Sequence, residues 1–151
     1  MISTLPKLSV QHAFTINVVE YEAYQCMIHS VRYAVFVCEQ SIPADLEIDQ
    51  SDPVSQHVLA WWDGRAVGTG RLTPGGRIGR VAVAQSFRRR GIGRCIVELL
   101  LDTARQQRYQ TAVLAAQQHA IPFYEQLGFC QEGNLFEELG IDHVMMRKQL
   151  L

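Results

Sequence analysis

Ile78-Gly79-Arg80-Val81-Ala82-Val83, Ala84-Gln85-Ser86-Phe87, Arg88-Arg89-Arg90-Gly91-Ile92-Gly93-Arg94 and then Cys95 to Gln107 form the stretch whose reading decides the fold. It reads as a strand, a basic turn carrying two glycines, and a helix. Alternation along the strand puts Val81 and Val83 on one side of an extended segment and Ile78 on the other. After the glycines the period changes. Ile92, Cys95, Ile96, Leu99, Leu100 and Thr103 recur at three- and four-residue steps, with Arg94, Glu98, Asp102 and Arg105 opposite. That pattern predicts an amphipathic helix whose first turn holds Gly91, Ile92 and Gly93. The first N–H groups of a helix have no internal partner, and the dipole there favours negative charge. Glycine lets a ligand come close to that backbone. Arginine adds forked donors that suit phosphate oxygens. The turn therefore reads as an anion site of the kind that takes phosphate.

Working outward toward the N-terminus, residues 1–13 read as an extended lead-in and Phe14 to Val19 as a strand. Tyr21 to Val37 reads as a helix, with Tyr21, Tyr24, Ile28, Val31 and Val35 on one face and Glu22, Gln25, His29 and Arg32 opposite. Ser41 to Pro53 has the composition of a loop, and a loop of this length suits a binding segment or lid. Val58–Trp62 and Ala66–Leu72 read as strands joined by an Asp63-Gly64 hairpin turn. With the Ile78 strand they give three consecutive antiparallel strands. Trp61 and Trp62 place one indole on each face.

Toward the C-terminus, Thr111 to Ala116 reads as a buried strand. It should lie parallel to the Ile78 strand through a right-handed crossover. A short helix over Ala120–Leu127 follows, with Pro122 in its first turn and Gly128 stopping it. Phe129 to Gln131 starts another strand, Ile141 to Lys148 is the last, and Gly133 and Gly140 mark turns. The result is an α/β (α+β) fold with a mixed, mostly antiparallel central sheet flanked by helices.

At 151 residues the chain suits one domain spanning 1–151. Its 48% hydrophobic and 19% charged residues argue against disorder. No apolar run reaches membrane-spanning length and no signal-peptide layout is seen, which points to the cytoplasm. Cys26, Cys38, Cys95 and Cys130 form no Cys-x-x-Cys pair and read as reduced, mostly buried thiols. No metal-ligand spacing occurs, so no metal is expected. From Tyr33 to Gly64 there are six acids and no Lys or Arg; from Arg65 to Val97 there are eight arginines and no acid. If those blocks were also separate in space, a polyanionic ligand would sit over one and a cationic second substrate near the other. The net charge of −1 and the lack of a recognition helix or RNA-binding sheet motif argue against nucleic acid.

The nucleotide motifs fit poorly. No P-loop string is present. Gly91-Ile92-Gly93 and Gly68-Thr69-Gly70 each lack the third glycine of a dinucleotide fingerprint. Arg88-x-x-Gly91-x-Gly93 after a Val-x-Val strand instead resembles the pyrophosphate loop of the GNAT superfamily of acetyl-CoA-dependent N-acyltransferases. Ala120-Ile121-Pro122-Phe123-Tyr124-Glu125-Gln126-Leu127-Gly128-Phe129 is similar to that family's later Ala-x-x-Phe-Tyr-x-x-x-Gly-Phe motif. The two come in the right order, with one helix and one strand between. Arg32, Val35-Phe36, Glu39-Gln40, Glu47, Asp49, Asp52 and His57 resemble a small bacterial single-domain branch of the superfamily.

The resemblance implies a splayed sheet. It implies that Val81, Ala82 and Val83 take the pantetheine arm, with Phe123 beside it, and that Arg88, Arg89, Arg90, Gly91, Ile92, Gly93 and Arg94 hold the diphosphate. Gln117 stands where the family often has an asparagine that contacts pantetheine. Tyr124 is implied as the acid that protonates the departing thiolate. A general base is needed because amines are mostly protonated near neutral pH. Glu39, Asp49, His57, His119 and His143 are candidates, with Glu39 preferred. The activity implied is direct transfer of acetyl from acetyl-CoA to a primary amine of a small molecule or peptide, cationic in one version, by a monomer or homodimer. Two other readings stand beside it: a non-catalytic acyl-CoA-binding regulatory module, and an acyltransferase like the acyl-homoserine-lactone synthases.

Overall fold

The computed structural model describes residues 14–151; the lead-in read over residues 1–13 lies outside them. In chain order come β1 (Phe14–Val19) and α1 (Tyr21–Arg32), which runs on as a π-helical segment, Tyr33–Glu39. α2 (Ala44–Glu47), β2 (Gln56–Trp62), β3 (Arg65–Thr73) and β4 (Arg77–Val83) follow, then α3 (Ile92–Gln106) and β5 (Thr111–Gln117). The chain ends with α4 (Ile121–Gln126), β6 (Cys130–Glu138) and β7 (Ile141–Gln149). The strands form one sheet in the order β1-β2-β3-β4-β5-β7-β6. Every neighbouring pair is antiparallel except β4 and β5. The sheet is thus mixed and mostly antiparallel, as the sequence reads, with helices on both faces.

α3 lies close on the sheet because β3 presents glycines beneath it. A Cβ at Gly70 would come 2.6 Å from Ile96 Cγ2 and 2.8 Å from Leu100 Cδ1; one at Gly68 would come 2.9 Å from Ile96 Cδ1. Gly68-Thr69-Gly70 is therefore a packing groove. Into it go Ile92, Ile96 and Leu100, all fully buried and each contributing about 1.5–3 kcal/mol on burial. Val97, Leu101 and Ala104 are buried as well, so the apolar face is wider than the sequence stripe, and Cys95 and Leu99 sit at its margin.

The alternation read into the central strand needs correction. Arg80 has φ +50, and the β3–β4 register jumps between Thr69 and Arg71. This bulge adds a residue to β4 and reverses the facing beyond it. Ile78, Val81 and Val83 then all pack on the α3 side, while Ala82 faces Val31, Val35 and Phe36. The first helix differs too. Its final turns are π-helical, and Arg32, read as exposed, is fully buried. Tyr24, read as apolar-facing, is 36% exposed, because α1 buries a narrower stripe of Ile28 and Val31.

The 41–53 loop contains α2. The Asp63-Gly64 turn forms as read, both residues at positive φ. β6 is longer than the sequence suggests, and Gly133 falls at its register irregularity rather than at a turn. Three of the four cysteines are exposed, on the outer side of the first helix and on edge strand β6, and Cys95 is half-buried. No helix among the described residues is long and apolar enough to cross a membrane.

Candidate active site

β4 and β5 share a single registered pair, Arg77 with Val113, supported by Val113 N–H donating to Gly76 C=O at 3.0 Å. Beyond it the strands separate. β4 is held by β3 on one side, and Ile78 to Val83 have no strand partner on the other. The gap opens into a cleft of about 1080 Å³.

At one end of the gap is the basic turn. Gly91 caps α3 in the left-handed region at φ +84, and no side chain caps the helix. The first turn of α3 holds no acidic residue. Its leading N–H groups therefore face the cleft unpaired, with Gly91, Ile92, Gly93, Arg89 and Arg94 in the lining. Space at Gly91 is open: a Cβ there would meet nothing within 4 Å.

The arginines divide their work. Arg88 donates through Nε to Val83 C=O at 2.9 Å and through Nη2 to Glu39 at 2.8 Å. Arg90 stacks over Trp62 at 4.9 Å and is absent from the lining. Arg94 pairs with Glu98 at 2.9 Å. Arg89 has no ion pair among the described residues.

α4 closes the second wall. Phe123 sits 3.5 Å from where a Cβ of Gly93 would be, so the start of α3 and α4 abut. Tyr124 follows, edge-on to Phe123 and Phe129 with centroids 5.0 and 5.8 Å away. Loss of water around its hydroxyl pushes the phenol up to about 12.

On the opposite face lies a charged network. Arg32, fully buried, donates to Asp52 Oδ1 at 2.7 Å and to the Glu47 carbonyl. Arg71 bonds Asp49 at 2.7 and 3.0 Å and Asp52 at 2.9 Å. Arg80 reaches Asp49 at 3.1 Å and the carbonyls of Leu46 and Glu47. Burial alone would raise Asp52; the Arg32 contact, the Asp49 N–H and Arg71 outweigh it and hold the carboxyl well below its usual range. Burial likewise opposes the shift at Asp49, where Arg71 wins. The acidic segment and the arginine block thus interlock. The two charge fields read from sequence are not separate in space, and Glu39, Glu47, Asp49 and Asp52 all have cationic partners.

Of the residues singled out from sequence, Val81, Ala82, Val83, Arg88, Arg89, Gly91, Ile92, Gly93, Arg94, Gln117, Phe123 and Tyr124 all line the one cleft. Glu39 and Arg90 do not. Among the base candidates, Asp49, His119 and His143 line it. His57 is buried instead, bonded through Nε2 to the Asp52 carbonyl at 2.9 Å and stacked on Tyr21, and burial lowers its basicity. His143 donates from Nδ1 to Ile141 C=O at 2.8 Å, which leaves Nε2 with the lone pair. Sequence reasoning missed Arg71, Arg80 and Gln40 as cleft residues; their positions depend on contacts with distant segments.

The sequence of residues 4–150 matches the model of the family described as Acetyltransferase (GNAT) domain. The chain is 35% identical over 122 residues to the uncharacterized N-acetyltransferase YjcF of Bacillus subtilis, covering 78% of this chain and 87% of that protein. Among solved structures, an acyl-CoA N-acyltransferase from Pseudomonas aeruginosa superposes with a TM-score of 0.81 at 28% identity, over 89% of this chain and 99% of that one. A GNAT family acetyltransferase from Elizabethkingia anophelis, solved with acetyl-CoA bound, shares the fold at a TM-score of 0.70 and 18% identity, over 92% and 99% of the two chains.

Proposed function

The chain belongs to the GNAT acetyltransferase family, and from that premise we propose that it moves acetyl from acetyl-CoA to the amine of a small molecule or peptide. The observation that carries this reading is the uncapped N-terminus of α3 at the mouth of the β4–β5 gap. Bare N–H groups and arginines at the entrance suit a diphosphate, and the slot behind them suits an extended acyl-bearing arm. Bound there, acetyl-CoA supplies a thioester carbonyl open to a neutral amine.

The residues then take these parts. Ile92, Gly93 and Arg94 N–H groups, with Arg89, hold the diphosphate. Arg88 fixes the turn through Val83 and Glu39. The unpaired β4 edge offers N–H groups to an arm in the gap and to the oxygen that gains charge during attack. Tyr124 points a phenol at the departing sulfur. Because the phenol lies near 12 while a thiol lies near about 8.5, Tyr124 donates a hydrogen bond rather than surrendering its proton. For the base we propose His143, which lines the cleft and whose Nδ1 bond to Ile141 C=O leaves the Nε2 lone pair free; Glu39 lies outside the lining and is engaged by Arg88. The acceptor's charge is not set by the acidic segment, whose cleft carboxylates are already paired with arginine.

The test is calorimetry with CoA followed by a thiol-release assay against an amine library. Binding with turnover on an amine supports the reading. Binding without turnover on any amine supports a regulatory acyl-CoA module. Turnover only with acyl-carrier protein and an S-adenosylmethionine-like acceptor supports a lactone synthase.

A further inference from the structure

Gln40 follows the π-helical segment and Gln117 ends β5, so they belong to opposite sides of the β4–β5 gap. They lie 77 residues apart, yet their amides bond both ways: Gln117 Nε2 donates to Gln40 Oε1 at 2.8 Å and Gln40 Nε2 to Gln117 Oε1 at 3.3 Å. Both line the cleft. The π-helical segment is anchored on β4 through Val35 and Phe36 against Ala82. The amide pair therefore spans from the β4 side to the β5 side across the slot.

The backbone places Gln40 there. Gln40 N–H closes on Val35 C=O at 3.2 Å and Ile42 N–H on Phe36 C=O at 2.9 Å, wide turns that end the helix at the cleft rim. Such widened turns are uncommon and gather at functional sites. Each carboxamide has two donors and an oxygen with two lone pairs. In the pair each uses one of each kind, so both lining residues keep a donor and a lone pair in reserve.

Resting on the acetyl-CoA reading, we propose that Gln40 is a second side-chain contact to the pantetheine arm, and that the Gln40–Gln117 pair is a clasp the arm opens. The arm carries secondary amides, each with one N–H and one C=O. Those groups replace, one for one, what each glutamine gives the other. Opening the clasp therefore leaves no amide unpartnered, whereas an arm lacking amides would strand both.

The experiment measures calorimetric affinity for CoA and for adenosine 3′-phosphate 5′-diphosphate, which keeps the phosphates and lacks the arm. Wild type, Gln40→Leu and the isosteric Gln40→Glu are compared, with thermal melts confirming the fold. The clasp holds one good bond at 2.8 Å and one long one at 3.3 Å, so exchanging it for well-placed arm bonds gains about one hydrogen bond; each variant loses both the clasp and the Gln40 contact and is expected to bind CoA roughly tenfold more weakly. The armless nucleotide should bind all three equally. Unchanged CoA affinity in both variants, or equal losses for both ligands, overturns the proposal. Wild-type protein that binds neither ligand overturns it together with the acetyl-CoA reading, a result distinct from wild-type binding with indifferent variants.

Discussion

Replacing Tyr124 with Phe removes one oxygen and leaves the edge-on contacts with Phe123 and Phe129 in place. The size of the effect follows from the phenol's position near 12. Handing its proton to a thiolate of pKa about 8.5 would be uphill by about 3.5 units, or about 5 kcal/mol at about 1.36 kcal/mol per unit. That makes full transfer a poor route and a hydrogen bond to the developing negative sulfur a good one. A hydrogen bond to a charged group is worth about 1.5–3 kcal/mol, so kcat should fall about 10- to 150-fold. The affinity for acetyl-CoA should not change, because the bond strengthens only as the sulfur gains charge. Steady-state kinetics across pH, with calorimetry for the Kd, measures all of this. The wild-type profile should show no basic limb from this group in the working range. A loss under about threefold would mean that the hydroxyl is idle; one of about 10⁴, at the top of the general-acid range, would mean that it is a true proton donor. A basic limb that vanishes in the variant would show that the phenol titrates within reach, against the reasoning from burial.

Asp52→Asn takes one of two carboxylates from each of Arg32 and Arg71, leaving Glu47 to the first and Asp49 to the second, and should cost about 1.5–3 kcal/mol, the loss of charged hydrogen bonds. At about 2–4 °C per kcal/mol, the melting temperature should fall by about 3–12 °C; a loss below about 1 kcal/mol would show the network to be solvent-screened. The carboxyls of Asp49 and Asp52 are depressed in the fold, so the native state binds protons less readily than the unfolded chain. Their stabilisation is present above the unfolded value of about 3.9 and is lost as pH falls through the lower folded values, and urea titrations below pH about 4 should show it shrink more in wild type than in Asp52→Asn. Gly91→Val forces a branched residue to φ +84, adding strain of about 1–2 kcal/mol and bulk where a ligand would approach. CoA affinity should drop, and wild-type affinity by calorimetry would remove the turn from the site. His143→Gln should lower kcat in a thiol-release assay by about 10²- to 10⁴-fold while Glu39→Gln keeps it; the reverse pattern would make Glu39 the base.

What could be read locally was read well. The period change after Val83, the Asp63-Gly64 turn and the Pro122-to-Gly128 helix each depend on a few neighbouring residues, and all appear in the fold. The β2-β3-β4-β5 order follows from the hairpin and one crossover, whereas the places of β1 at one edge and of β7 between β5 and β6 do not. The failures have a common cause. The bulge at Arg80, the burial of Arg32 and the Gln40–Gln117 pair are decided by segments far away in the chain. An arginine looks exposed by helical period until two carboxylates from a later loop meet it. The interlocked charges show the same thing on a larger scale: blocks of opposite sign in sequence attract, so they end up together.

The single registered pair between β4 and β5 also has a mechanical meaning. The sheet is two plates, β1 to β4 and β5-β7-β6, pinned near one corner and bridged by α3. Arg77 to Val83 spans about 20 Å at about 3.3 Å per residue. Seen from that pin, a swing of about 5° moves the far rim by about 2 Å at this lever length. Anything wedged between the plates has leverage over both, so an occupant of the slot would stiffen the β5-β7-β6 plate as well as the strand it touches. Amide hydrogen exchange along β7, far from the basic turn, would register that stiffening.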